Sequence, residues 1–215
     1  MVHPFTLKLI PQPRTGEFMI WAKNRKILAI IMIGIILSIT ISAILYSYNE
    51  SKGISAAEGL NKANELAEQW NSSAVLVYVQ AMGEIYRDGK CEKWGYSYSN
   101  NNSNINQSKG FVITVFADFT YVTGERESPP SPHPIIIWKI DSDDAIQIAK
   151  SNPEITQWLD KYNNANIQSM VLTANSNASG WGIAWNDPGF MDDPHTAVIN
   201  INAITGEVLD VYVQM

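Results

Sequence analysis

The chain has one cysteine, Cys91, and three histidines in 215 residues. A single thiol closes no internal disulfide, and Cys91 is not preceded by the small-residue motif of a lipidated cysteine near a signal peptide. Beyond residue 48 only His133 and His195 remain, far apart in sequence, with no cysteine cluster and no two histidines at i, i+4 spacing. A structural zinc site therefore has too few ligands. Also missing are a nucleophile elbow, a His-Glu-x-x-His helix, a phosphate loop and a dinucleotide fingerprint. A histidine acid or base would have to be His133, in a proline-rich stretch, or His195, and neither has a neighbouring partner pattern. The expectation is a protein without catalytic residues and without a cofactor.

Basic charge is scarce and unevenly placed. Residues 1–48 hold Lys8, Arg14, Lys23, Arg25 and Lys26 against Glu17 alone, a net +4, so the remaining 167 residues carry ten basic and twenty acidic groups, a net −10. Nucleic-acid affinity depends on Lys and Arg neutralising phosphates, so nucleic acid is excluded as a partner of the larger part.

The one long apolar run is Ile27 to Tyr48, 22 residues without a charge. At about 1.5 Å per residue, a helix of that length spans the roughly 30 Å hydrocarbon core of a bilayer. Trp21 before it, and Tyr46 and Tyr48 at its end, suit the headgroup level, and Lys23, Arg25 and Lys26 flank the N-terminal end. The positive-inside bias then predicts a single-pass anchor, residues 27–48, with a basic cytoplasmic tail, residues 1–26, and an extracytoplasmic remainder at the cell membrane. A cleaved signal peptide has a shorter apolar region, about 7–15 residues, and Ile41-Ser42-Ala43 is a poor cleavage site. A pilin-like surface subunit is a further alternative, against which stand the missing small residue at Lys26-Ile27 and the helix-interrupting Gly53. Asn-x-Ser sequons at Asn49, Asn71, Asn101, Asn106 and Asn177 suit a polar exported surface, although an Asn- and Ser-rich chain also produces them by chance.

The exported part matches itself. Ile54-Ser55-Ala56-Ala57-Glu58-Gly59-Leu60-Asn61-Lys62-Ala63 aligns with Ile140-Asp141-Ser142-Asp143-Asp144-Ala145-Ile146-Gln147-Ile148-Ala149, and Lys93-Trp94-Gly95-Tyr96-Ser97-Tyr98 with Gly180-Trp181-Gly182-Ile183-Ala184-Trp185. A third match sets Val122-Thr123-Gly124-Glu125 beside Ile204-Thr205-Gly206-Glu207. Each copy predicts an N-capped helix followed by an antiparallel sheet. Ala56, Leu60, Ala63, Ala67 and Trp70 draw one apolar stripe at helical spacing, and Ile155, Trp158, Leu159 and Tyr162 resume such a stripe after the break at Asn152-Pro153. Strands are predicted at 74–82, 92–99 and 111–122, then at 167–174, 181–186, 196–203 and 207–213. Thr205-Gly206 supplies a hairpin turn. The fold class is α+β: a transmembrane helix, a first helix-plus-sheet module at 49–127, a proline-rich connector at 128–139, and a second module at 140–215.

The N-capped helix with Ala145 and Ala149, the sheet after it, and above all the closing strand-turn-strand Val198-Ile199-Asn200-Ile201-Asn202-Ala203-Ile204-Thr205-Gly206-Glu207-Val208-Leu209 resemble the PepSY domain family. The resemblance covers residues 140–213 and, less closely, 54–125, where Gly59 replaces the first alanine and a proline-rich stretch follows Glu125. It implies a small helix-plus-antiparallel-sheet module without catalytic residues, found in propeptides of secreted metallopeptidases and in envelope proteins, and proposed to restrain or modulate peptidases. The implied partner is a separate envelope protein, a peptidase first among them.

Two sets of residues are candidates for a site. Trp94, Tyr96 and Tyr98, like Trp181, Ile183 and Trp185, alternate along strands, so each set lines one face. Packing beneath the helix of the same module is the expected fate of these rings; exposed, they would be the partner-contact residues. The loop from Asp187 to His195 gathers Asp187, Asp192, Asp193 and His195, a donor set for a hard or borderline cation, although without the spacing of an EF-hand. A metal-dependent or hydrolytic enzyme built on this loop is the alternative to a non-catalytic binding or regulatory protein. Cys91, near Lys90 and Lys93, reads as a sheet residue near a turn rather than as an activated thiol.

The charge asymmetry around Ile27 predicts an N-in, C-out orientation. Protease added to spheroplasts should remove a C-terminal tag and spare an N-terminal one, and the reverse pattern would refute the orientation.

Overall fold

The computed structural model describes residues 32, 35–38, 40, 53–100, 109–176, 178–187 and 195–214. The chain divides into two compact units, Met1–Ser47 and Tyr48–Met215. In the first, residues 32, 35–38 and 40 are helical, with Met32, Ile35, Ile36 and Leu37 exposed. The rest of the expected basic tail and of the 27–48 anchor lies outside the described residues, as do the sequons at Asn49, Asn101, Asn106 and Asn177. Among the described residues no helix is long and apolar enough to cross a membrane.

The second unit is α+β. Its first helix, α1, spans Ala56–Trp70 and opens on a full capping box: the Ser55 hydroxyl accepts from the Glu58 N–H, and the Glu58 carboxylate accepts from the Ser55 N–H at 2.6 Å. This arrangement satisfies two helix-end donors at once and places an acid at the positive end of the helix dipole. The buried face consists of Ala56, Gly59, Ala63, Leu66 and Ala67, and apart from Leu66 these are small enough to bring the helix backbone close to the sheet. Helix α2, Ser142–Ser151, is capped by Asp141. Asn152 ends α2 and caps α3, Pro153–Lys161, by accepting from the Glu154 and Ile155 N–H groups. Pro153 thus breaks one helix and starts the next at the position where its missing N–H costs nothing.

Eight strands form one antiparallel sheet in the order β4-β3-β2-β1-β5-β6-β7-β8. They are β1 (Val75–Ala81), β2 (Lys93–Ser99), β3 (Gly110–Phe116), β4 (Tyr121–Arg126), β5 (Asn166–Ala174), β6 (Ser179–Asn186), β7 (Thr196–Asn202) and β8 (Val208–Val213). Each group of four is a meander that starts at the middle of the sheet and runs outward. The groups join where β1 pairs with β5, through Tyr78↔Thr173, Val79↔Leu172 and Gln80↔Val171. The helices pack on one face, and one continuous apolar core runs beneath α1 and α2–α3.

Two expectations are corrected. The single strand at 111–122 is a hairpin, β3 and β4. Asp118 folds the chain back by accepting from both the N–H and the hydroxyl of Thr120, and Phe119 takes a left-handed φ of 62°. An aspartate bonding to its own backbone two residues on is a turn former, a signal outweighed in the sequence by the run of apolar residues on both sides. The aligned Val122-Thr123-Gly124-Glu125 and Ile204-Thr205-Gly206-Glu207 are not structural equivalents. The first lies inside β4, where Thr123 faces Ile113 and Gly124 faces Val112. The second makes the β7–β8 turn, with Gly206 at φ 76° and Asn202 accepting from the Ile204 and Thr205 N–H groups.

The two helix N-termini meet at the middle of the sheet. The Ala56 N–H donates to the Ser142 hydroxyl at 3.1 Å, and the Ala57 N–H donates to the Asp141 carboxylate at 3.0 Å, so the start of α2 helps to cap α1. Beneath them the Trp94 ring donates to the Ile54 carbonyl at 2.8 Å and the Trp181 ring to the Ile140 carbonyl at 2.7 Å, one before each N-cap. The two indoles meet edge to face, 6.0 Å between centroids.

Burial raises the Asp141 pKa above the usual 3.8, opposed by hydrogen bonds from Ser55, Ser142 and Ala57. A raised folded pKa means that stability is greatest below the unfolded pKa and falls as pH rises through the folded one. Asp141→Asn, which keeps an acceptor and removes the charge, should therefore gain on the wild type in unfolding free energy as pH rises above about 3.8. Asp141→Ala strips two helix starts of an acceptor and should cost about 1–3 kcal/mol in chemical denaturation at neutral pH. An Ala variant as stable as the wild type would remove this role.

Candidate functional site

The aromatic rows are core. Trp94, Tyr96 and Trp181 are fully buried, and Tyr98 and Trp185 are 2% exposed. The polar tips of the first row are bonded inward as well: Tyr96 donates to the Ala56 carbonyl at 2.6 Å, and Tyr98 to the Asn64 side chain at 2.7 Å. Burial drives both phenol pKa values upward, that of Tyr96 well above its ordinary value. Trp94, Tyr96, Tyr98, Trp181 and Trp185 thus pack beneath the helices, the expected fate of these rings, and the condition for their being contact residues, exposure, is not met. An alternating aromatic strand fits a buried face and an exposed one equally well, and the helix laid across it decided between them.

Of the candidate metal ligands, Asp192 and Asp193 lie outside the described residues. Asp187 and His195 hold the base of the loop: the Asp187 N–H donates to the His195 carbonyl at 3.1 Å, and the imidazole stacks on Tyr162 with centroids 4.4 Å apart. Asp187 is 8% exposed. Among the described residues no group of three or more His, Cys, Asp or Glu could hold a metal ion. Cys91 is buried, is bonded through its backbone to Ile54, and has its thiol pKa pushed up by burial, the environment of an inert thiol.

Two concave features stand out instead. The first is a groove of about 450 Å³ on the sheet face turned away from the helices. Its floor is Gly180 and Gly182 of β6, and Val171, Thr173, Asn200 and Asp210 border it. Neither glycine has a positive φ, and a β-carbon at either would meet nothing closer than 3.3 Å. No positive φ requires glycine at either position, although a β-carbon would press on the Ile201 carbonyl at Gly180 and on the movable Asn200 side chain at Gly182; their effect is to leave the space open. The first meander differs at this place. At Gly95, the counterpart of Gly182, a β-carbon would lie 2.6 Å from the Met82 sulfur, so Met82 fills the space. Thr173 of β5, opposite Gly180, stands where Met82, opposite Lys93, stands in the first meander.

The second feature is a cavity of about 230 Å³ between the 85–87 segment and the second meander. Arg87 and Lys150 line it together with Asn163, Asn166, Leu159 and Trp185. The Lys150 ammonium donates to the Arg87 carbonyl at 2.5 Å.

Sequence reasoning reached neither feature. Gly180-Trp181-Gly182 did carry the signal for the groove, because period-2 alternation puts both glycines opposite a buried tryptophan. Nothing local relates Arg87 to Lys150, 63 residues apart.

The sequence matches no protein-family model and no curated protein. Among solved structures it is similar to the crystal structure of a candidate lipoprotein from Clostridium difficile 630. The two are 13% identical, with a TM-score of 0.42, over 72% of this chain and 91% of that one. A likeness of this size carries no information about activity.

The aromatic packing explains Gly59. A β-carbon there would collide with the Tyr96 hydroxyl, which is held by its bond to the Ala56 carbonyl. Alanine is the better helix former by about 1 kcal/mol, but overpacking a core costs about 1–3 kcal/mol. Gly59→Ala should therefore destabilise the protein on balance, and adding Tyr96→Phe should recover part of the loss in a double-mutant cycle. Additive effects would disprove the contact.

Proposed function

We propose that this chain is a membrane-anchored, extracytoplasmic, non-catalytic binding protein, built from two PepSY-like modules and modulating an envelope or secreted peptidase. The observation that carries the binding reading is the glycine-floored groove of β6, open in the second meander at the place where Met82 closes the first. A strand face kept clear by two glycines without a backbone requirement accepts a side chain or strand from another molecule, and such a face serves recognition without supplying a nucleophile or base.

The two-module reading is supported by three correspondences. Both meanders run outward from the β1–β5 seam, α1 and α2 each carry an N-cap directly after an isoleucine, and both isoleucine carbonyls accept from the tryptophan at the matched position of the second strand. The membrane anchor rests on the charge and length of residues 27–48, and the peptidase as target rests on the PepSY resemblance. Tethering adds to the argument, because it raises the effective concentration of a modest-affinity module toward other envelope proteins.

Gly182→Leu fills the groove without backbone strain and should leave the melting temperature within a few degrees of the wild type. Quantitative affinity capture from detergent-solubilised membranes should enrich an envelope peptidase with the wild type and lose it by at least about tenfold with the variant. Equal capture by both proteins would remove the groove from the function. Turnover of peptide, ester or phosphoester substrates, abolished by replacing Asp192, Asp193 and His195 with alanine, would replace the binding reading with the enzymatic one.

A further inference from the structure

The cavity beside α2 and α3 concentrates positive charge in a part of the chain that is otherwise strongly acidic. Arg87 comes from the segment that follows β1, and Lys150 from the last turn of α2. No residue lining the cavity is acidic. Among the described residues the one salt bridge is Lys62–Glu65 on α1, so neither cation is in an ion pair. The opposing charge felt by Lys150 is that of Asp88, the neighbour of Arg87.

The rest of the wall is of two kinds. Asn163 and Asn166 bring side-chain amides, which donate as well as accept. Ile85, Leu159 and Ile167 bring apolar surface. A bare inorganic anion would meet the cations and leave the apolar wall unmatched, whereas a neutral apolar group would leave both cations unanswered. At about 230 Å³ the space is just below the usual range of small-molecule pockets, roughly 300–1,000 Å³, and suits a group the size of one amino-acid residue.

We infer that this cavity is a binding site for a small amphiphilic carboxylate, with the carboxylate held by Arg87 and Lys150 and one apolar group lodged against Leu159 and Ile167. Arg and carboxylate match as planar two-point partners, and a charge-assisted bond in a partly desolvated site is about twice as strong as a neutral one. The electrostatics agree: burial first, then repulsion from Arg87, hold the Lys150 pKa below its ordinary value, and an anion in the cavity relieves the repulsion. A carboxylate of this kind is presented both by a free organic acid and by the C-terminal residue of a peptide. The site is separate from the β6 groove and does not depend on it.

The test uses the full-length chain in nanodiscs of phosphatidylcholine, titrated calorimetrically with N-acetyl-leucine, with N-acetyl-leucinamide, with inorganic phosphate, and with a short peptide ending in leucine as the free acid or as the amide. At least one carboxylate probe should bind, with its amide at least about tenfold weaker. Binding of N-acetyl-leucine marks a free acid as ligand, and binding of the peptide acid alone marks a chain terminus; either supports the site. Lys150→Gln and Arg87→Gln should each weaken carboxylate binding by roughly 10- to 100-fold, and Lys150→Arg by much less. If circular dichroism finds Lys150→Gln unfolded, Arg87→Gln decides alone. Failure of every carboxylate probe, equal affinity for acid and amide, phosphate binding as tight as the carboxylates, or undiminished binding by the folded Gln variants would overturn the assignment.

Discussion

The structure depends on the contact at the middle of the sheet, where two helix starts and two buried tryptophans converge. Helix N-termini are the positive ends of dipoles and carry unsatisfied N–H groups, so two of them brought together are unfavourable unless acceptors lie between them. Asp141, Ser142 and the Ser55–Glu58 box supply those acceptors, and two of the bonds run across from one helix start to the other. The tryptophans lock the layer below by bonding to the carbonyls of Ile54 and Ile140 just ahead of the caps. These polar bonds specify how the meanders join, and the apolar core alone would not, since hydrophobic burial has no direction.

Once that junction is set, the rest of each meander follows by local rules. Strands pair in chain order, Asn202 closes the β7–β8 turn, and Asp118 closes the β3–β4 turn. The aromatic side chains of β2 and β6 all turn toward the helices, which leaves the middle of the opposite faces to small residues: Gly95, Ser97 and Ser99 beyond Lys93 in one, Gly180, Gly182 and Ala184 before Asn186 in the other. Burying the aromatics on one side and opening a groove on the other are thus two results of the same period-2 pattern. At the groove the meanders differ in two facing positions, Met82 and Lys93 against Thr173 and Gly180, and that difference separates a filled surface from an open one.

The placement of charge follows a similar logic. Residues 49–215 are acidic in net charge, yet the walls of the cavity beside α2 and α3 are cationic, amide-bearing and apolar. That combination arises because the 85–87 segment, hung from the first meander by the Ile85↔Cys91 bridge, reaches the end of α2 in the second. The proposed carboxylate site therefore exists only in the joined molecule, and separate meanders would each hold half of it.

The sequence by itself determined the elements that depend on near neighbours. The helix starts at Ser55 and Asp141, the restart at Asn152-Pro153, the Thr205-Gly206 turn and the alternation of Trp181, Ile183 and Trp185 were all legible, because capping, proline geometry and strand periodicity act over two to four residues. The Asp118 turn was of the same kind and was overlooked within an apolar run. Tertiary structure alone decided which face of each aromatic strand is buried, whether Thr123-Gly124 bends or stays extended, and which distant groups share a cavity. Each of these depends on what another part of the chain places alongside: α1 over Tyr96, β3 beside β4, Arg87 beside Lys150. Such contacts close loops of tens of residues, and their energies are set by packing and electrostatics in three dimensions, for which no local pattern is a substitute.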